Sequence, residues 1–175
     1  IVAIGLKCKP EEINEKWCRA SRKPIPPEIV NQGPVQEVVI TGDSLDKNGL
    51  AFLAAPVESP GYSGGIRTTT QFITRDPETG TRNIGDYSGF FRGPRRIHWG
   101  IAPSHHGGMH LEKARAMGKR LQVAIVIGAT PNIALVSAAP LPYNVDEFDV
   151  AGALAGEAVR YNTKICFIVQ FWLNS

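Results

Sequence analysis

Behind Pro10-Glu11-Glu12, the apolar residues Ile13, Trp17 and Ala20 recur at helical spacing, with acid in the first turn and Arg19, Arg22 and Lys23 at the end. That pattern predicts a short amphipathic helix whose charges complement its dipole. Pro24, Pro26 and Pro27 forbid helix and predict an extended connector leading into the β-rich run Val35–Ile40. As far as Phe91 the patterning is that of strands: Ala51–Pro56, Thr68–Arg75 and Asn83–Phe91. The turn chemistry of Asp76-Pro77-Glu78-Thr79-Gly80 joins the last two as a hairpin. After a Gly- and His-rich loop, Leu111–Met117 predicts a helix ended by Gly118, Val123–Ile127 a buried strand, and Pro131–Ala138 a helix with proline in its first turn. Val150–Leu154 predicts a last short helix, and Val159–Leu173 a strand-like tail. Helices alternate with strands only in the second half, so an α+β barrel-like domain fits better than a doubly wound sheet.

The expected division is a helix and Pro-rich connector over 1–33, a main domain over 34–160 and a tail over 161–175. At 175 residues, 43% hydrophobic and 20% charged, the chain can build one ordinary core. Its 19 basic and 16 acidic residues are scattered, and the one dense cluster, Arg92, Arg95 and Arg96, has few interleaved aromatics. A phosphate-facing or solvated loop fits that cluster better than a nucleic-acid surface. Cys8, Cys18 and Cys166 are odd in number and lack metal-type spacing, which points to free thiols and a cytoplasmic setting. No stretch reaches the roughly 20 apolar residues of a spanning helix. The chain begins at Ile1, which suggests processing or a piece of something longer.

Three polar residues stand out as a set: Asn83 in Thr81–Tyr87, His110 in His105-His106-Gly107-Gly108-Met109-His110, and Glu147 just past the bend stiffened by Pro140 and Pro142. One amide oxygen, one imidazole and one carboxylate, without thiolate, suit a hard or borderline ion such as Mg²⁺ or Mn²⁺ better than structural zinc, and such a site can hold a phosphate. Each has a plainer role open to it. Asp146 and Glu147 could cap the helix at Val150–Leu154, His110 could bond backbone at a helix start, and Asn83 could be a hairpin residue. Two other motifs carry less. Gly61-Tyr62-Ser63-Gly64-Gly65 spells a nucleophile elbow, but prolines precede it and a β run follows, so Ser63 reads as part of a glycine loop. His106 and His110 could chelate zinc on a helix, but Gly107-Gly108 argues against helix there.

The run Thr74–Tyr87, the strand Val123–Gly128 and the segment Leu141–Leu154 together resemble the UbiD family of carboxy-lyases over residues 24–159, the Glu147 motif most specifically. The resemblance implies a split β-barrel of flavin-reductase type that binds prenylated FMN, or FMN, with the phosphate held through Mn²⁺ or Mg²⁺ and often K⁺. It maps the family's metal ligands onto Asn83, His110 and Glu147. Its cofactor contacts fall near Thr68, Ile84, Met109, Ser137, Ala139 and Pro140. It further implies decarboxylation, in some cases reversible, of an unsaturated or aromatic acid, a flavin prenyltransferase as cofactor supplier, and homo-oligomers.

Departures accompany the matches. Ser88 stands where the family has an arginine that grips the substrate carboxylate, and a hydroxyl cannot replace a bidentate guanidinium. Arg92, four residues on, is the substitute that strand alternation offers. The family's two catalytic glutamates have no counterpart in these residues, and the tail from Tyr161 departs from the family pattern. The alternative expectation is therefore a non-catalytic flavin-binding or assembly subunit.

Overall fold

In this computed structural model, residues 1–52, 65–66, 70–92 and 94–162 are described. The helices are α1 (Val2–Gly5), α2 (Ile13–Arg22), α3 (Asp43–Asn48), α4 (His106–Ala116), α5 (Pro131–Ser137) and α6 (Glu147–Ala155). The strands are β1 (Glu28–Ile29), β2 (Gly65–Ile66), β3 (Thr70–Arg75), β4 (Arg82–Asp86), β5 (Gly89–Phe91), β6 (Ile97–Trp99), β7 (Val123–Ile127) and β8 (Arg160–Tyr161). Among the described residues they form three small sheets, ordered β1-β8, β2-β5-β6 and β4-β3-β7, and none closes into a barrel. The architecture is mixed, with short helices against small sheets. No helix among the described residues is long and apolar enough to cross a membrane.

The expected hairpin is present. β3 and β4 pair antiparallel from Gln71 opposite Asp86 to Arg75 opposite Arg82, and β3 also pairs antiparallel with β7. The turn closes because Asp76 Oδ1 accepts from the Glu78 and Thr79 amides, at 2.8 and 3.3 Å. Phe72, fully buried in central β3, stacks on Trp99 with centroids 5.0 Å apart and meets Tyr87 edge-on at 6.0 Å. Around it gather Leu50, Ile97, Ala114, Leu121, Val123 and Ile125. A second core, of Leu6, Ala20, Val136, Val150, Ala151 and Leu154, joins the predicted α2 to α5 and α6.

Several expectations change. Val35–Ile40 is not a strand: Pro34–Gln36 is a 3-10 turn in which the Gln36 side chain accepts from the Gly33 amide, and Val35, Val38 and Val39 are exposed. β-branched residues favour strands only where a partner offers a pleated surface to pack against. The run Asn83–Phe91 is two strands, broken at Tyr87 and Ser88. Ala51 and Phe52 belong to a 3-10 turn, and α3 carried no periodicity that stood out. α4 begins at His106, so Gly107 and Gly108 are helical after all. Tertiary packing overrides propensity here: a Cβ at Gly108 would lie 2.2 Å from the Ala102 carbonyl oxygen. Residues 53–56, Ser63, Thr68 and the tail from 163, including Cys166, lie outside the described residues.

Candidate functional site

Among the described residues β4 is an edge strand, and α5 and α6 both pack against it. Its open amide at Ile84 donates to Glu147 Oε2 at 3.2 Å, which brings the first turn of α6 across the sheet edge. Asp146 is the N-cap of α6, its Oδ1 accepting from the Phe148 amide at 3.0 Å. Asp146 thus takes the capping role that the sequence left open between it and Glu147. Glu147 is 3% exposed, and burial pushes its carboxyl up to about 8 despite the Ile84 amide, with Asp146 adding to the rise. Among the described residues the basic group nearest to it is His106, whose Nδ1 is 3.8 Å from Oε1. Burial and neighbouring His105 hold His106 below its ordinary value, so it is neutral at pH 7 and supplies no counter-charge.

Asn83 lies on the β4 face shared with Gly85 and Tyr87. The Asn83 amide and the Gly107 backbone lie beside the Tyr87 hydroxyl. Burial raises the Tyr87 phenol, keeping it protonated. The ring lies so close over Gly85 that a Cβ there would be 2.2 Å from it. Asn83 Nδ2 is buried with no hydrogen-bond partner. Asn83, Tyr87, the start of α4 and Glu147 therefore converge.

His110 makes different contacts. It is 1% exposed, its Nδ1 bonds Thr74 Oγ1 at 2.8 Å, and its Nε2 lies 3.9 Å from Asp76 Oδ2. Burial pulls it down to about 4, so it is neutral. Asp76 is the hub of this second cluster: Lys113 Nζ donates to Oδ2 at 2.8 Å and the Tyr143 hydroxyl at 2.6 Å. Burial alone would raise the Asp76 carboxyl, but these donors and the turn amides outweigh it and hold it well below the usual carboxylate range. The group contributes stability above its unfolded value near 3.8, and that contribution is lost as pH falls through the lower folded value. Asp76→Asn is expected to lower stability at pH 7 by about 1.5–3 kcal/mol, with the deficit shrinking as the solution is acidified below pH 3.8; urea unfolding across pH checks this.

The other expected contacts are spread out. Ile84 and Ser137 are buried, the Ser137 hydroxyl bonding the Ala134 carbonyl at 2.9 Å. Met109, Ala139 and Pro140 are exposed or half-exposed. Ser88 and Arg92 are both exposed and neither lies in a strand; Arg92 sits over the Phe90 ring at 5.7 Å. Among the described residues no group of three or more His, Cys, Asp and Glu side chains is placed to share a metal ion. The expected set, with an asparagine in it, is not of that kind. Sequence reasoning set His106 aside as a zinc ligand and gave Tyr87, Arg82 and Asp76 no part in the site. The i, i+4 pair His106 and His110 was the visible signal for the first.

A family model described as UbiD, 3-octaprenyl-4-hydroxybenzoate carboxy-lyase Rift-related domain, matches residues 28–166. An uncharacterized protein of Aquifex aeolicus is 40% identical over 151 residues, covering 85% of this chain and 30% of that protein. The phenolic acid decarboxylase of Streptomyces sp. (strain D7) is 31% identical over 164 residues, 89% of this chain and 34% of the decarboxylase. Among solved structures, the UbiD-class enzyme HmfF of Pelotomaculum thermopropionicum in complex with FMN superposes with a TM-score of 0.78 at 28% identity, over 91% of this chain and 36% of HmfF. An evolved dimeric form of that enzyme with prFMN gives 0.80 at 27% identity, over 97% and 39%. The chain thus spans about a third of the length of the relatives it matches.

Proposed function

From the premise that the chain belongs to the UbiD family, we propose that it is the flavin-binding module of a carboxy-lyase acting on aromatic or unsaturated carboxylic acids. The observation that carries the reading is Glu147, a buried carboxyl with no counter-charge, set beside a neutral imidazole and a buried amide with an unpartnered atom. This carboxyl ionises in place only beside a compensating charge, and a divalent cation fits this donor set. We assign Mn²⁺ or Mg²⁺ to Asn83, Glu147 and an imidazole. The imidazole is His110, whose Nδ1 is held by Thr74 and leaves Nε2, or His106, whose Nδ1 lies 3.8 Å from Glu147 Oε1. Turning the Asn83 amide end for end would present its oxygen where the unpartnered nitrogen now lies.

Prenylated FMN or FMN, whose phosphate such an ion would hold, supplies the electron sink for decarboxylation. This chain's own residues bind and orient. On this reading Ile84, Met109, Ser137, Ala139 and Pro140 are the cofactor contacts. The same reading takes β4-β3-β7 and β2-β5-β6 as parts of a flavin-reductase-type split barrel over residues 34–160. It also implies a prenyltransferase supplier and self-association, K⁺ accompanying the divalent ion. Support comes from the FMN and prFMN held by HmfF and the decarboxylase name of the Streptomyces relative.

The chain co-expressed with a flavin prenyltransferase and purified anaerobically with Mn²⁺ is expected to carry bound flavin in its ultraviolet–visible spectrum and native mass. Flavin-free protein under those conditions would overturn the reading.

A further inference from the structure

Arg82 and Asp146 stand 64 positions apart, yet Arg82 Nε donates to Asp146 Oδ2 at 2.6 Å. Both side chains are largely withdrawn from water, at 11% and 16% exposure. The guanidinium also lies over the Phe148 and Tyr161 rings, 5.2 and 4.7 Å from their centroids, and those rings stack on each other at 5.8 Å. A planar cation suits such a setting in a way that an ammonium does not.

The position of the pair matters more than its strength. Asn83 follows Arg82 on β4, and Glu147 follows Asp146 at the start of α6, so the ion pair bridges sheet edge and helix where both proposed ligands leave the backbone. The Ile84-to-Glu147 hydrogen bond crosses the same gap one residue further on. Building on the proposed function, we propose that Arg82 and Asp146 are a positioning pair. It fixes the spacing of Asn83 and Glu147, and the Asp146 carboxylate neutralises Arg82 so that the guanidinium does not repel the bound cation.

The two oxygens of Asp146 divide the labour, which separates the pair from the helix cap: Oδ1 caps α6 and Oδ2 pairs with Arg82. Asparagine caps a helix as well as aspartate, so Asp146→Asn keeps the cap and removes the charge. Arg82→Lys keeps the charge and removes the planar fork.

The test titrates Mn²⁺ in the presence of excess FMN, reading free Mn²⁺ by electron paramagnetic resonance. Wild type, Asp146→Asn, Arg82→Lys and Glu147→Ala are compared, with a thermal melt of each metal-free chain. Both pair variants are expected to bind Mn²⁺ about 10- to 100-fold more weakly, a loss larger than the drop in metal-free stability of Asp146→Asn, which keeps the cap but leaves the guanidinium without its counter-charge. Wild-type affinity in Asp146→Asn, with binding lost in Glu147→Ala, would overturn the positioning role alone. An affinity loss accompanied by an equal loss of metal-free stability in Asp146→Asn would reduce the pair to an ordinary structural tie and overturn it too. No wild-type binding beyond that of Glu147→Ala would remove the metal site, and the positioning role with it.

Discussion

Glu147→Gln is expected to abolish Mn²⁺-dependent flavin retention and leave the chain folded. The amide is isosteric and its oxygen can still accept from Ile84, so the tie between β4 and α6 survives. Burial pushes the Glu147 carboxyl up to about 8, so at pH 7 the metal-free chain buries mostly the neutral acid, and a neutral amide in its place should leave stability close to that of wild type. What the amide cannot do is compensate a dication. A ligand held at a hundred times its Kd stabilises a folded protein by about 2.7 kcal/mol. Wild type should therefore gain that much with Mn²⁺ and FMN, and Glu147→Gln should gain none. Paired thermal melts with and without the additions measure it. An equal gain in both proteins would remove Glu147 from the ligand set.

The second large effect belongs to the core. Phe72→Ala should destabilise the chain by about 3–5 kcal/mol, a large part of the roughly 5–15 kcal/mol that a domain has to lose. Phe72 is fully buried, sits on the central strand, and touches both Trp99 and Tyr87. Removing it leaves a cavity that Gly85, directly opposite on β4, cannot fill. Because Tyr87 rests on the same ring, the damage should reach Asn83 as well. Denaturant unfolding gives the magnitude; a loss below 1 kcal/mol would mean that the sheet closes over the gap.

The parts of this fold legible in the sequence are those settled by near neighbours. The β3–β4 hairpin could be read because Asp76 to Gly80 carry their own turn chemistry, and α2 and α5 because prolines, charges and apolar spacing agree. The start of α4 could not be read, since Gly107 and Gly108 oppose helix locally and only the nearby Ala102 carbonyl explains them. Val35 to Ile40 misled for the converse reason: their side chains suit a strand that has no partner. In the proposed site, the motifs single out Asn83 and Glu147 as candidates. That His106 and Glu147 approach each other depends on which turn of α4 faces α6, a question of packing that spacing along the chain does not answer. The Arg82–Asp146 pair was illegible for the same reason, since nothing local links residues so far apart.

The outward amide of Ile84 has a bearing on colony-scale behaviour of the protein, its solubility. Edge strands invite pairing with other chains unless something blocks their free donors and acceptors. On β4 the Glu147 carboxyl occupies one of those donors, and the helix behind it covers the margin. One side chain thereby guards the sheet against cross-chain zippering at the place where the proposed chemistry needs it. Selection to keep the chain monodisperse and selection to keep its ligand would then act on a single codon. Glutamine there would keep the guard and lose the ligand.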